Sequence, residues 1–360
     1  MSGQIDVSVV ISTYNGAATL PEALHSVLSQ DAGDVSYEVV VVDNNSTDGT
    51  RAVIESSIAE ASGRLRYVFE PRQGVSYGRN AGIAAATAPI IAFFDDDVRV
   101  DRYWIRTLKR TLDDHPEVEY VGGKVLPDWE TPPAAWLTDA HWSPLAIVDY
   151  GPEPLSVSAE RQLCLVSANL AVRRSLFDAV GLFVPEVQRV KGSIGSMEDH
   201  ELLLRCWLGG KRGLYVPTLL ARTTVPASRM TKAYHRRWHT GHGMFCAMMR
   251  YVELIDQDGR YVGEPVGHDA VRLFGVPAYL FRQAADEGRK WMRTAFRREP
   301  ALSLMHENNL RFLVSYIRTR YRQERARKER SAVAEIGAFA TRLVRKKMRT
   351  ALAAGVRRSP

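Results

Sequence analysis

The chain has 360 residues, of which 45% are hydrophobic and 25% are charged, a composition that is typical of a globular protein with a large core, as one sizeable domain plus a second element or as two domains. Its three cysteines, Cys164, Cys206 and Cys246, are odd in number and widely spaced, which argues against a disulfide framework and favours reduced thiols. The N-terminus has neither a basic nor a long apolar region, and the uncharged stretch at residues 81–94 is too short to span a bilayer. We therefore expect neither a signal peptide nor a membrane-spanning helix.

The charge is distributed unevenly along the chain. Residues 311–360 carry 15 Lys or Arg against 3 Glu, a net charge of +12, whereas the whole chain carries +7. The preceding 310 residues are therefore net −5, and the basicity belongs to the C-terminal segment. We expect such a basic segment to interact with a partner surface rather than to contribute to the core.

The first 94 residues alternate between strand and helix patterns. In chain order, the predicted elements are a strand at 5–11, a helix from residue 20, a strand at 37–42, a helix after the turn at 46–50, a strand at 65–69, a helix at 75–86 and a strand at 90–94. The strands are almost continuously apolar, as strands buried on both faces of a parallel sheet are. This order predicts an α/β fold with a doubly wound, mostly parallel sheet and flanking helices.

Polar residues follow three of these strands. Thr13 follows the first strand, Asp43 the second, and the consecutive carboxylates Asp95, Asp96 and Asp97 the last. In open α/β sheets the ligand crevice lies beyond the carboxyl ends of the strands, so we expect these side chains to meet there. Neighbouring carboxylates repel one another, and a hard divalent cation such as Mg²⁺ or Mn²⁺ relieves that repulsion. Taken alone, the aspartates are equally compatible with an acidic turn, and Asp43 with a turn former.

Two common nucleotide-binding motifs are absent. The turn after the first strand, residues 12–16, contains neither GxGxxG nor a Gly-rich loop with a lysine. This argues against dinucleotide binding, and also against a nucleotidyltransferase, which is the alternative enzyme class for an α/β fold that uses a metal ion.

Residues 125–158 are rich in proline and contain Trp129, Trp136 and Trp142. The segment is predicted to be a long loop over the crevice, because long ordered loops in compact domains are often lids. Aromatic faces interleaved with carboxylates suit a sugar ligand. The alternative for any single tryptophan is a place in the core.

A second acidic cluster, Glu198-Asp199-His200-Glu201, begins an amphipathic helix after the glycine-containing loop 192–196. A carboxylate at a helix start beside a loop can reach into a cleft and act as a base. Acidic residues in a first helical turn are also common partners of the helix dipole, and the residues alone favour that interpretation.

Taken together, these segments resemble the family 2 glycosyltransferases, which have the GT-A fold. The likeness spans about residues 5–240, and it is specific in the combination, order and spacing of its blocks. These blocks are residues 9–15 (VVISTYN), 41–50 (VVDNNSTDGT), 78–82 (GRNAG), 93–97 (FFDDD) and 198–201 (EDHE) followed by Arg205.

The resemblance implies a role for each matched residue. Asp199 corresponds to the catalytic base with Glu198 beside it, Asp97 to the metal ligand of the DxD motif, and Asp95 to a residue nearer the ribose that also contributes to the metal site. Asp96 is an additional carboxylate, so which pair holds the ion stays open. The implied donor-binding residues are Thr13, Tyr14, Asn15, Asp43, Arg79, Asp95, Asp96 and Arg237, and Trp238 is the implied acceptor-binding residue. Trp129 and Trp136 are predicted to bind the acceptor from the aromatic character of their own segment.

Residues 234–238 (YHRRW) are similar to the QxxRW motif of processive synthases, with Tyr234 in the place of Gln. This similarity underlies the roles of Arg237 at the diphosphate and of Trp238 at the acceptor. A basic helix face is an equal alternative. A histidine that related enzymes often place near residues 220–224 is missing, and Arg and Thr stand there.

Within residues 333–352, apolar residues fall at helical spacing among many Lys and Arg residues. This pattern predicts a basic amphipathic helix that binds an anionic membrane surface, or else a packed tail with a charged outer face. We expect a catalytic domain at 1–225 with its nucleotide-sugar half at about 1–124, a helical extension at 226–310 and a basic tail at 311–360.

The prediction as a whole is an inverting, metal-dependent glycosyltransferase that uses a nucleoside-diphosphate sugar, in the first instance a UDP-sugar, and a glycan or lipid-linked acceptor. We expect it in the cytoplasm at the inner membrane face, without nucleic acid as a partner. The non-enzymatic alternative is a protein that binds sugar nucleotides without turning them over.

Overall fold

The computed structural model describes residues 5–188, 194–195, 197–250 and 271–327. Its described residues up to Trp238 form one compact unit, and those from His239 onward belong to a second. The helix predicted at 333–352 lies outside the described residues, as does most of the loop at 192–196.

The first unit contains nine strands and six complete helices among its described residues, and a seventh helix begins in it. The strands are β1 (Val7–Thr13), β2 (Tyr37–Asp43), β3 (Leu65–Phe69), β4 (Ile90–Phe93), β5 (Val98–Val100), β6 (Tyr120–Trp129), β7 (Leu155–Val157), β8 (Leu170–Arg173) and β9 (Gly213–Val225). The helices are α1 (Leu20–Leu28), α2 (Thr50–Glu60), α3 (Val75–Ala85), α4 (Trp104–Asp114), α5 (Ser175–Val180), α6 (Glu198–Leu208) and α7 (Lys232–Met249).

One sheet joins all nine strands, in the order β3-β2-β1-β4-β8-β6-β9-β5, with β7 beside β9. The strands β3, β2, β1 and β4 are mutually parallel, and every residue of β2 is buried, which explains its unbroken apolar run. The other half is mixed, because β8 runs antiparallel to β4 and β6, whereas β6 and β9 are parallel. The predicted α/β architecture is confirmed, with its parallel part in the N-terminal half.

The prediction of a loop over residues 125–158 was wrong at both ends of this range, because strands occupy them. β6 continues to Trp129, and β7 occupies Leu155–Val157. The apolar residues of β6 pair with the long strand β9 across a bulge at Gly123, where an added Cβ would collide with the carbonyl of Leu219. Long-range pairing therefore overrides the local proline-rich composition at these positions.

The second unit contains a short hairpin and two long helices. These are β10 (Arg272–Leu273), β11 (Val276–Pro277), α8 (Ala278–Phe296) and α9 (Pro300–Arg327). The domain boundary predicted at 310 falls inside α9. Over the described parts of the chain, no helix is both long and apolar enough to cross a bilayer.

Candidate functional site

The carboxyl ends of β1, β2 and β4 form the floor of the site. Thr13 and Asp43 are register partners at the ends of β1 and β2, and both are buried. The hydroxyl of Thr13 donates a hydrogen bond to a carboxylate oxygen of Asp96, in the turn that follows β4. Gly16 lies against this pair, because an added Cβ there would collide with both side chains. The predicted meeting of the three strand ends is present.

Each of the three consecutive aspartates has a partner from a different element. Asp95 Oδ1 lies 3.2 Å from Arg79 Nη2, and Asp97 Oδ2 lies 3.3 Å from Arg229 Nη1. Asp96 accepts the bond from Thr13. Two guanidinium groups therefore flank the turn and offset the mutual repulsion of its carboxylates.

Arg79 connects this turn to the second acidic cluster. Its Nη1 lies 3.2 Å from Glu198 Oε1 and 3.5 Å from Asp199 Oδ1, although these residues are more than 100 positions away in the chain. The side chain is only 6% exposed. Burial alone would lower the pKa of Arg79, but Asp199, Asp95 and Glu198 raise it well above its usual value. The guanidinium is therefore a fixed positive charge shared by both clusters.

The GRNAG sequence explains how α3 brings Arg79 to this position. An added Cβ at Gly78 would collide with Ser12, and one at Gly82 with Val10, so both glycines allow α3 to approach β1 closely. The side chain of Asn80 bonds both the carbonyl and the N–H of Phe183, at 2.9 and 3.1 Å. The ring of Phe183 in turn lies 5.4 Å from the Arg79 guanidinium.

The pKa of Asp199 is raised by its surroundings. Burial is the largest influence on its pKa and, with the charge of Glu198, it outweighs the opposing charge of Arg79, so that the pKa is raised to about 6. Glu198 Oε2 is buried and has no hydrogen-bond partner within the described residues. A ligand hydroxyl at this point would satisfy a polar atom that is otherwise costly to bury.

His200, next to Asp199 on α6, lies 3.4 Å through Nδ1 from the thiol of Cys164. Burial lowers the pKa of His200 to about 4, and burial together with Asp199 and Glu198 raises that of Cys164. Both groups are therefore neutral at pH 7, and the pair adds no further charge to the carboxylates.

Asp43 is held from two sides. Its Oδ1 accepts a bond from the backbone N–H of Ser46 at 2.9 Å, and its Oδ2 accepts one from the hydroxyl of Tyr67 at 3.2 Å. The guanidinium of Arg51 lies 5.5 Å from the centre of the Tyr67 ring. The carboxylate is thus fixed in orientation at the sheet edge.

Tyr14 and Asn15 lie in the turn after β1. Asn15 has a left-handed backbone with φ of 53°, and its Oδ1 accepts a bond from the N–H of Thr47 at 2.8 Å. Its N–H donates to the hydroxyl of Ser46. Asn15 therefore joins the β1 and β2 loops, which is a positioning task beside its predicted donor contact, and Tyr14 is half-buried next to it.

Two of the predicted acceptor residues, Trp129 and Trp136, belong to a small apolar cluster. Trp129 and Trp136 are partly buried against Leu137, Leu145, Ile147 and Val225. The ring of Trp136 also lies 5.6 Å from that of His141 and 5.2 Å from that of His235. Burial, followed by His141, lowers the pKa of His235 to about 4, as expected in an apolar setting.

Two predicted site residues lie on α7. Arg237 is exposed there, and Trp238 is half-buried.

The aspartates suit a divalent cation that arrives with its ligand. Carboxylate oxygens are the donors that Mg²⁺ and Mn²⁺ prefer. Over the described residues, no group of three or more His, Cys, Asp or Glu side chains is assembled as a complete metal cage. Proteins usually bind Mg²⁺ through one or two carboxylates, and water and substrate phosphates complete its coordination. The three aspartates fit an ion bound in this way.

Sequence reasoning missed Arg229 and Tyr67. Arg229 pairs with Asp97 from 132 positions away, and Tyr67 bonds Asp43 from 24 positions away. The side-chain alternation of β3 could have indicated the position of Tyr67. No local signal identified Arg229.

Comparison with known proteins agrees with this geometry. Residues 8–181 match the model of the glycosyl transferase family 2. The glucosyl-dolichyl phosphate glucuronosyltransferase of Haloferax volcanii is 28% identical over 178 residues, which cover 49% of this chain and 55% of that protein. Across three such curated relatives, the matched stretch spans only 28 to 55% of their length.

Solved structures share the fold. The mannosyltransferase PcManGT of Pyrobaculum calidifontis, in complex with GDP-Man and Mn²⁺, is 18% identical with a TM-score of 0.56, covering 89% of this chain and 88% of that one. TarS 1–349 of S. aureus, in complex with UDP-GlcNAc, is 16% identical with a TM-score of 0.50, covering 89% of this chain and 92% of that one. The match to the glycosyl transferase family 2 model thus covers a little under half of the chain, and the chain has the GT-A fold of these solved glycosyltransferases.

Proposed function

We propose that the protein is an inverting glycosyltransferase that moves a sugar from a nucleoside-diphosphate donor to a hydroxyl group of a glycan or lipid-linked acceptor. The observation that carries the proposal is the position of Arg79. It joins Asp95, at the end of β4, to Glu198 and Asp199, at the start of α6. Asp95, which is suited to donor binding, and Asp199, which is suited to base catalysis, therefore both contact the buried guanidinium of Arg79.

The chemistry follows from these groups. The oxygen of the acceptor hydroxyl attacks the anomeric carbon, and Asp199 accepts the proton that this hydroxyl loses. The bond from that carbon to the diphosphate oxygen breaks, and the nucleoside diphosphate leaves with the electron pair. Attack from the opposite face inverts the anomeric carbon, and no covalent enzyme intermediate is required. A pKa of Asp199 near 6 leaves the group mostly ionised at pH 7 and still basic enough to bind a proton.

The leaving group requires positive charge. Asp97 and Asp95 would hold Mg²⁺ or Mn²⁺, and such an ion would neutralise charge on the departing diphosphate. In this proposal Asp43, Thr13, Tyr14 and Asn15 form the nucleoside pocket, and Trp129, Trp136, Arg237 and Trp238 contribute to the acceptor and diphosphate side.

The donor class is supported by the two solved neighbours, which were crystallised with GDP-Man and with UDP-GlcNAc. A UDP-sugar is the first donor to test. A lipid-linked acceptor is supported by the relative named for dolichyl phosphate and by the net charge of +12 over residues 311–360, which suits an anionic membrane surface at the cytoplasmic face.

The test is release of nucleoside diphosphate from a panel of UDP- and GDP-sugars, with Mn²⁺ and polyprenyl-phosphate or glycan acceptors. The variants Asp97→Asn and Asp199→Asn should each reduce turnover by roughly 10²–10⁴-fold. The control Asp113→Asn removes a carboxylate that is 55% exposed on α4, and it should leave turnover unchanged. Full activity of either site variant would contradict the proposal.

A further inference from the structure

Arg229 is the least expected member of the site. It lies in the loop at 226–231 between β9 and α7, and its Nη1 is 3.3 Å from Asp97 Oδ2. Burial would lower the pKa of Arg229, but Asp97, then Tyr234, Asp95 and Asp96, raise it. The guanidinium therefore sits in the field of all three aspartates, at the carboxylate that best suits a metal ion.

The position of Arg229 is fixed by contacts that do not involve its own charge. The N–H of Ala227 donates to Glu130 Oε2 at 2.6 Å, and the N–H of Glu130 donates to the carbonyl of Val225 at 3.1 Å. Met230 packs against the apolar cluster around Leu137. The loop is thus held in place against residues 125–158, the tryptophan-containing segment.

Further contacts hold both ends of this arrangement. The hydroxyl of Tyr234, at the start of α7, donates to the carbonyl of Pro144 at 3.3 Å. The N–H of Thr224, at the end of β9, donates to the carbonyl of Asp97 at 3.0 Å. Asp97 and the loop that carries Arg229 are therefore attached to the same strand, and their pairing is built into the fold.

A guanidinium at this distance and a divalent cation cannot both interact fully with Asp97. Two positive groups on one carboxylate oxygen repel each other, and the repulsion is strong where water is partly excluded. A diphosphate changes this balance, because its negative oxygens attract the guanidinium and also complete the coordination of the ion.

We propose that Arg229 forms an ion pair with Asp97 in the absence of donor and so competes with the divalent cation for this carboxylate until the nucleoside diphosphate binds. The inference rests on the proposed function, since it takes Asp97 to be a metal ligand. Free cation then binds weakly, donor and cation bind in a linked manner, and Arg229 turns from Asp97 to the diphosphate when both are present.

The test is Mn²⁺ affinity of the full chain, measured by calorimetry without nucleotide and then with saturating UDP or GDP. Without nucleotide, Arg229→Met should bind Mn²⁺ about tenfold more tightly than wild type, because the competing charge is gone. With nucleotide, the increase in Mn²⁺ affinity should be smaller in Arg229→Met than in wild type.

Three further variants make the result specific. Arg229→Lys keeps the charge and should bind free Mn²⁺ as weakly as wild type, which separates charge from packing. Arg110→Met removes a guanidinium that is 81% exposed on α4 and should also match wild type. Asp97→Asn first tests whether Asp97 binds Mn²⁺ at all. If Asp97→Asn abolishes Mn²⁺ binding but Arg229→Met and wild type bind Mn²⁺ equally well, the proposed role of Arg229 is wrong. If Asp97→Asn binds Mn²⁺ like wild type, the metal site in the proposed function fails, and the inference fails with it.

Discussion

The two sides of the site are constructed in different ways. On the proposed donor side, Thr13, Asp43 and the aspartates lie at or just after the ends of β1, β2 and β4, which are neighbouring parallel strands, so the register of the sheet brings them together. On the opposite side, Asp199 and Arg229 come from a helix start and a loop, and ion pairs and packing hold them in place. The donor side is therefore a property of the sheet, whereas the other side depends on a small number of charged and aromatic contacts.

The strongest test of this difference is removal of the residue that joins both sides. Arg79→Met leaves Asp95, Glu198 and Asp199 without their shared counter-charge, and loss of one partner from a buried ion network typically costs about 3–5 kcal/mol. Urea unfolding should show this loss of free energy of unfolding. Arg110→Met, which breaks an exposed pair on α4, should cost no more than about 1 kcal/mol. Equal stability of the two variants would mean that the network does not hold the sides together.

A smaller effect is expected within the tryptophan-containing segment. Trp136→Ala removes a ring that packs on His141, His235 and the apolar cluster, and we expect a loss of roughly 1–3 kcal/mol in free energy of unfolding. Unchanged stability together with a raised KM for the acceptor would instead identify Trp136 as a sugar-stacking residue. The variant therefore separates the two functions that the sequence left open for this tryptophan.

The contrast also explains how much the sequence could predict. Periodicity and strand-end chemistry predicted β1 to β4 and the position of Asp95–Asp97, because these features are local. The pairing of Arg229 with Asp97 joins residues 132 positions apart, and no local pattern encodes it. The extension of β6 to Trp129 depends on pairing with β9, so its proline-rich composition was misleading. The resemblance to the family, rather than residue patterns, gave Asp199 its role.

The smallest expected effect lies on the donor side. Tyr67→Phe deletes the 3.2 Å hydrogen bond to Asp43, and a typical intramolecular hydrogen bond contributes about 0.5–1.5 kcal/mol. We expect the KM for the donor to rise by up to about tenfold, while kcat changes little, because the reacting atoms are not affected. The backbone bond from Ser46 keeps Asp43 in place in this variant. A fall in kcat at constant KM would contradict the assignment of Asp43 to nucleoside binding.

The central claim is that Asp199 is the base, and the pH dependence of single-turnover transfer tests it most directly. Burial and Glu198 raise the pKa of Asp199 to about 6, so the group is protonated and inactive below that pH and ionised above it. The rate should therefore rise as pH increases from about 5 to 7 and then level off. In Asp199→Asn the residual rate should be low, and this rise should be absent. A wild-type rate that is independent of pH over this range, or a variant that keeps the same rise, would contradict the account.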